Sequence, residues 1–151
     1  MPPWRRIGVA TRYAALLSLA AAWGHLVVLP EHLREWWAYG AFFLAAAIAQ
    51  AGFAALVVLR PTRGLLLTGI AGNLAIVGMY ILSRTNGVPL GPHTGRPEAA
   101  ASLDLAVTAA ELGVIVASLA LLPPLAARRA GTVLVVAGSA LWGARFTGLL
   151  L

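Results

Sequence analysis

The chain has 151 residues and a formal net charge of +6, with 60% hydrophobic and only 11% charged residues. A soluble domain carries roughly a quarter charged residues, so this composition excludes an ordinary soluble fold and selects a membrane protein built from spans of about 20 residues. Cysteine is absent and all 11 basic residues are arginine. That excludes disulfides, zinc–thiolate sites, iron–sulfur clusters and thiol nucleophiles, and also Schiff-base chemistry, which needs a lysine amine.

Five apolar segments follow one another along the chain. The first covers residues 13–29 and is preceded by Arg5, Arg6 and Arg12. Basic residues before an apolar stretch also mark a secretory signal, but no small-residue cleavage site follows, so a retained helix is expected. Within it Ser18, His25 and His32 are spaced by seven, which drifts only about 20° per repeat around a helix. The link "HLVVLPEHLREWWAYG" comes next. Pro30 is expected to end the first helix or to start a short interfacial one. Glu31, His32 and Glu35 then share a face, either as a metal or proton site at the outer mouth or as a solvated cap anchored by Trp36, Trp37 and Tyr39. For Glu31 and Glu35 alone the solvated cap is the stronger reading.

The second segment, residues 37–59, places Tyr39 and Gln50 near one face. Arg60 and Arg63 separate it from the third, residues 64–82, where Gly69, Asn73, Tyr80 and Arg84 form a stripe at helical spacing. The following loop, "SRTNGVPLGPHTGRPE", holds three glycines and three prolines, which predicts fixed turns rather than a tether. Two readings are open: a lid that brings His93, Arg84 or Glu98 over the mouth, and a rigid connector with a solvated His93. The fourth segment, residues 99–122, carries a further stripe of Asp104, Thr108, Glu111 and Ser118. The fifth, residues 131–151, is weaker. Arg145 lies about 20 Å of helix after its start, short of the roughly 30 Å hydrocarbon core, so four spans plus a peripheral C-terminal helix is the alternative to five.

Arginine placement sets an expected orientation. Arg5, Arg6, Arg12, Arg60, Arg63, Arg128 and Arg129 fall on one side, which is cytoplasmic if the N-terminus is inside. The arginines are scattered over span ends rather than clustered on a face, so no nucleic-acid partner is expected. All five acids (Glu31, Glu35, Glu98, Asp104, Glu111) and all three histidines then lie at the outer surface or in the outer half or middle of a span. Orientation rules give acids little weight, so this gathering points to function or to an outer partner. Counted from the span ends, Ser18, Gln50, Asn73 and Glu111 come out roughly 15–20 Å deep, and His25, Tyr80 and Asp104 roughly 5–8 Å. A layered polar interior reached from outside is expected. Repeated alanine and glycine in "AALLSLAAAWG", "LAAAIAQAGFAA" and "TGIAGNLAIVG" fit close helix packing around it.

Ionisable groups inside a membrane are costly and usually mark ion or substrate paths. For Asp104 and Glu111 the purely structural alternative is pairing with Arg84 or Arg145, or bonding to Asn73, Gln50 or a serine. The imidazole and carboxylate set suits a divalent transition metal (Zn²⁺, Mn²⁺, Fe²⁺ or Cu²⁺). No phosphate loop, serine-nucleophile motif or H-E-x-x-H occurs, and Glu-x-x-His is absent.

The stretches "HLVVLPEHLREW", "YGAFFLAAAIAQ", "SRTNGVPLGP" and "RPEAAASLDLAVTAAEL" resemble small multi-pass membrane proteins of actinobacterial-type genomes. The resemblance covers roughly residues 25 to 115; it implies a helical membrane fold and assigns no residue a role. The expectation is a single all-α transmembrane bundle over residues 1–151 in a bacterial cytoplasmic membrane, its acids and histidines facing outside. An outward-facing His/carboxylate site binds or passes a cation, a transition metal or a proton. His25 and Asp104 form the outer site, capped by His32, Glu35 or His93, and Glu111 with Gln50 and Asn73 forms a midplane step. The rival readings are an accessory subunit of a larger membrane complex and a membrane-embedded metalloenzyme. A homo-oligomer is compatible with the small chain.

Overall fold

A computed structural model of the chain describes the backbone of residues 3–146 and the side chains of residues 8–140. Among the described residues five helices follow in order: α1 (Pro3–Glu35), α2 (Trp37–Leu59), α3 (Arg63–Thr85), α4 (Ser102–Leu121) and α5 (Pro124–Phe146). The first four are each long and apolar enough to cross a membrane, so the chain is an all-helical membrane protein. The chain divides into two compact units between Leu121 and Leu122. The first holds α1–α4. The second holds α5, which opens on Pro124, a residue suited to the first turn because no N–H is needed there. Arg128 and Arg129 are thus helical residues of α5. The side chain of Arg145 and residues 147–151 lie outside the described set.

Within the first unit α1 packs on α2 and α4, α4 also packs on α3, and α2 meets α3 along a smaller surface. Partners run antiparallel: Ser18 meets Gln50 across α1–α2, Gln50 meets Asn73 across α2–α3, and His25 meets Glu111 across α1–α4. The distribution of side chains is inverted relative to a soluble bundle. Buried positions are largely small, including Ala14, Ala21, Ala46, Ala47, Ala54 and Ala110, whereas Leu16, Trp23, Ile48, Leu56, Ile81 and Val116 are exposed. Lipid chains are as apolar as leucine, so membrane helices gain by close backbone approach and leave their large aliphatic side chains outward.

α1 does not stop at Pro30 but runs through it to Glu35, a difference from the expectation of a helix end there. Proline removes one backbone hydrogen bond and crowds the preceding turn. Here it is exposed and only five residues from the end, where the freed carbonyl is close to the polar boundary of the span. The break comes instead at Trp36, a single extended residue (φ −164°, ψ 132°) between α1 and α2. Its N–H still reaches the carbonyl of His32 (3.0 Å), and its own carbonyl accepts from Tyr39 (3.0 Å). One residue therefore reverses the chain without losing the bonds on either side. α3 starts on a capping residue, Thr62, whose hydroxyl accepts from the N–H of Leu65 at 3.3 Å.

The connection between α3 and α4, residues 86–101, is folded rather than loose. Val88 pairs with Thr94 in an isolated bridge, and the Gly95 N–H donates to the Val88 carbonyl at 3.2 Å. Its docking point is Tyr39, whose hydroxyl donates to the carbonyl of Leu90 (2.8 Å) and accepts from the N–H of His93 (3.4 Å). Gly91 makes this possible. Its φ is +94°, and a Cβ there would sit 2.6 Å from both Trp36 Cε3 and the Tyr39 hydroxyl. Gly91→Ala is therefore expected to release the connection from α2. The check is amide hydrogen exchange, with residues 87–96 exchanging about tenfold faster while the helices keep their protection.

Candidate functional site

The 86–101 connection and the four helices of the first unit enclose a cavity of about 320 Å³. His25, Tyr39, Tyr80, Arg84, Asp104 and Glu111 all line it, so stripes on four separate helices do converge on one space. Most of the remaining wall is apolar or aromatic, including Trp36, Phe42 and Phe43. Three polar assemblies are built in and beside it.

Of the two that line the cavity, the one farther from the connection is a pair. His25 Nε2 lies 3.0 Å from Glu111 Oε1, with the two side chains 4% and 1% exposed. The expectation paired His25 with Asp104 and placed Glu111 with Gln50 and Asn73; the structure brings His25 to Glu111. Side-chain direction explains it. Helical side chains lean toward the N-terminus of their own helix. α1 and α4 run in opposite directions, so His25 leans away from the 86–101 connection while Glu111 leans toward it, and the two meet between their backbones. The ring of Phe43 packs on this pair from α2, 5.8 Å from His25, and also contacts His32 at 4.2 Å. Phe43 was not singled out in the sequence because an aromatic residue in an apolar span carries no polar signal.

The chemistry of the pair follows from its isolation. Among the described residues, the hydrogen bond of the Glu111 side chain goes from Oε1 to His25. One proton on the shared axis gives either imidazolium with carboxylate or neutral imidazole with carboxylic acid, and the two forms differ only by its position along a 3.0 Å bond. Loss of that proton leaves one net negative charge on a pair with almost no exposed surface, which the surroundings must solvate or a cation must balance.

The second assembly lies near the connection. Arg84 bridges Glu98 and Asp104, donating from Nη1 to Glu98 and from Nη2 to Asp104 at 2.6 Å. Its guanidinium also lies over the ring of Tyr80, 5.0 Å from the centroid. Asp104 Oδ2 accepts in addition from the N–H of Ala101 at 3.1 Å, so it caps the first turn of α4 as a capping-box acid does. Asp104 thus takes the structural option the sequence left open, pairing with Arg84.

The third assembly is a buried chain of neutral groups. Ser18 donates to Gln50 Oε1 (2.5 Å), Gln50 Nε2 donates to Asn73 Oδ1 (2.8 Å), and Asn73 Nδ2 donates to the Gly69 carbonyl (2.8 Å). It ties α1, α2 and α3 together at one level, as the expected depth layer required of those three residues. On α4, Ser118 Oγ is buried with no hydrogen-bond partner among the described residues.

The remaining expected ligands sit apart. His32 Nδ1 donates to the carbonyl of Val28 at 2.9 Å, leaving Nε2 as its free ring nitrogen. His93 stands 4.0 Å from Glu35, both side chains well exposed, and its ring stacks on Tyr39 with centroids 6.4 Å apart. Among the described residues no three His, Asp or Glu side chains gather closely enough to hold a metal ion. No family model matches this chain, and none of the curated proteins or solved structures compared with it matches either.

Proposed function

We propose that this is an integral membrane protein whose outward-facing cavity binds a cation at His25 and Glu111, and that the cation is a proton. The observation that carries the reading is the nearly fully buried His–Glu pair at 3.0 Å on the wall of a cavity. Two ionisable side chains from different helices, isolated from other polar partners, make a place where a proton is taken up or released with little rearrangement. Ionisable groups inside a membrane bundle are otherwise too costly to keep. The N-terminus is cytoplasmic in this reading, because Arg12, Arg60 and Arg63 then lie inside and the Arg84–Glu98–Asp104 cluster outside. α5 and the residues after it supply a fifth span or a peripheral helix in a bacterial cytoplasmic membrane.

Infrared spectroscopy of the protein in lipid, recorded as pH is varied, tests the reading. The expected result is a carboxylic acid C=O band that appears and disappears with pH, is absent in Glu111→Gln and is displaced in His25→Ala. A spectrum of the wild type with no band assignable to Glu111 at any pH overturns it. A divalent transition metal, held by His25 and Glu111 with ligands from outside the chain, gives a different result: zinc retained stoichiometrically on purification and lost in His25→Ala.

A further inference from the structure

The proton reading leaves open what else enters a cavity of this size, which is far larger than a proton needs. Three features of its lining bear on that question. Its volume, about 320 Å³, lies at the low end for ligand sites and suits a molecule of about ten to fifteen non-hydrogen atoms. Its walls include the aromatic residues Trp36, Tyr39, Phe42, Phe43 and Tyr80, a side-chain type whose ring faces attract positive charge, as Tyr80 does for Arg84 at 5.0 Å. Its charged lining is acidic: the carboxylates of Glu98, Asp104 and Glu111 stand against one guanidinium, Arg84.

Arg84 is engaged by Glu98 and Asp104, so the positive charge in the lining does not reach Glu111. The titratable and charged groups that line the cavity with Glu111 are His25 and His32 on α1, Tyr39 on α2, Tyr80 and Arg84 on α3, Glu98 in the connection and Asp104 on α4. Of these only His25 touches it. Glu111 is 1% exposed and lines the cavity. When the proton on the pair leaves, the uncompensated charge sits beside an aromatic-walled space. An anion is repelled there, and a neutral molecule leaves the charge unbalanced.

We infer that the cavity takes a small organic monocation with an apolar body, such as a quaternary or protonated amine, in exchange for the proton that His25 and Glu111 share. The inference rests on the proton reading above and names its exchange partner. The balance is one proton released for each cation bound, with no covalent step. The apolar body packs against the rings while the charged centre replaces the proton as counter-ion to Glu111.

Titration calorimetry on the purified full chain in detergent tests this with benzyltrimethylammonium, which carries no exchangeable proton. Its uncharged isostere neopentylbenzene and the anion benzoate serve as controls, in two buffers of different ionisation enthalpy. The expected results are about tenfold or greater preference for the cation over the isostere, no benzoate binding, and about one proton released per cation. Glu111→Gln loses at least about tenfold for the cation and little for the isostere. Phe43→Leu, which removes a ring but neither member of the pair, loses about threefold for the cation and little for the isostere.

Equal affinity for cation and isostere, cation binding without proton release, or unchanged binding in Glu111→Gln overturns the inference. The infrared titration separates the two failures. A Glu111 band that responds to pH but not to the cation sinks the exchange and leaves proton binding standing. A band that never appears sinks both.

Discussion

Replacing His25 by leucine lowers the stability of the bundle by about 3 kcal/mol, and so does replacing Glu111 by leucine, while the double replacement recovers most of that loss. Each single change leaves one ionisable group in a site 1–3% exposed with no other hydrogen-bond partner among the described residues. The stranded group must then be neutralised or hydrated at the expense of the fold. Removing both leaves an apolar contact between α1 and α4, which a membrane bundle tolerates well. Equilibrium unfolding in mixed detergent micelles measures all three variants, and the non-additivity is the informative quantity. Equal, additive losses would mean that the 3.0 Å contact contributes no coupling and that each group is stabilised by something else.

Gly24→Ala is the second large effect. Gly24 lies on α1 where α4 crosses it, and a Cβ there would fall 2.2 Å from Val107 Cγ2. Valine is held in one rotamer in a helix, so it cannot swing aside, and the two helices must separate. The expected loss is about 2 kcal/mol. Gly24→Ala combined with Val107→Ala restores most of it, read by thermal unfolding in the same detergent. Gly24 and Val107 also line the cavity, and Gly24 is the neighbour of His25. The single substitution should therefore also weaken the His25–Glu111 bond, visible as a displaced Glu111 infrared band that returns in the double variant.

Much of this architecture could be read directly from residue spacing. The stripe of Ser18, His25 and His32 does mark the inward side of α1, with Ser18 and His25 buried and His32 half-buried. Ser18, Gln50 and Asn73 do meet at one level, joined in one hydrogen-bonded chain as their depth along the helices predicts. Glu111 and Asp104 were harder. Side chains lean toward the N-terminus of their own helix, so on antiparallel helices His25 and Glu111 lean toward each other, and the contact depends on which way each helix runs. Depth alone therefore assigned Glu111 to the wrong neighbours. The Arg84–Glu98 contact depends on how residues 86–101 fold, and turn chemistry announces a shaped loop without giving its path. The aromatic wall was invisible for another reason: in an apolar span, Phe42 and Phe43 look the same whether they face lipid or a cavity.

The bond between His25 and Glu111 closes a loop of 86 residues. The chain emerges from the ribosome N-terminal end first, so the hairpin of α1 and α2, reversed at one residue, is complete long before the acid exists. Its imidazole waits in a half-built slot until the last helix of the bundle is delivered. Assembly of the site is thus governed by the slow, long-range step of the fold rather than by local helix formation. A nascent chain arrested after α3 would present a membrane-embedded histidine with no acid to receive it.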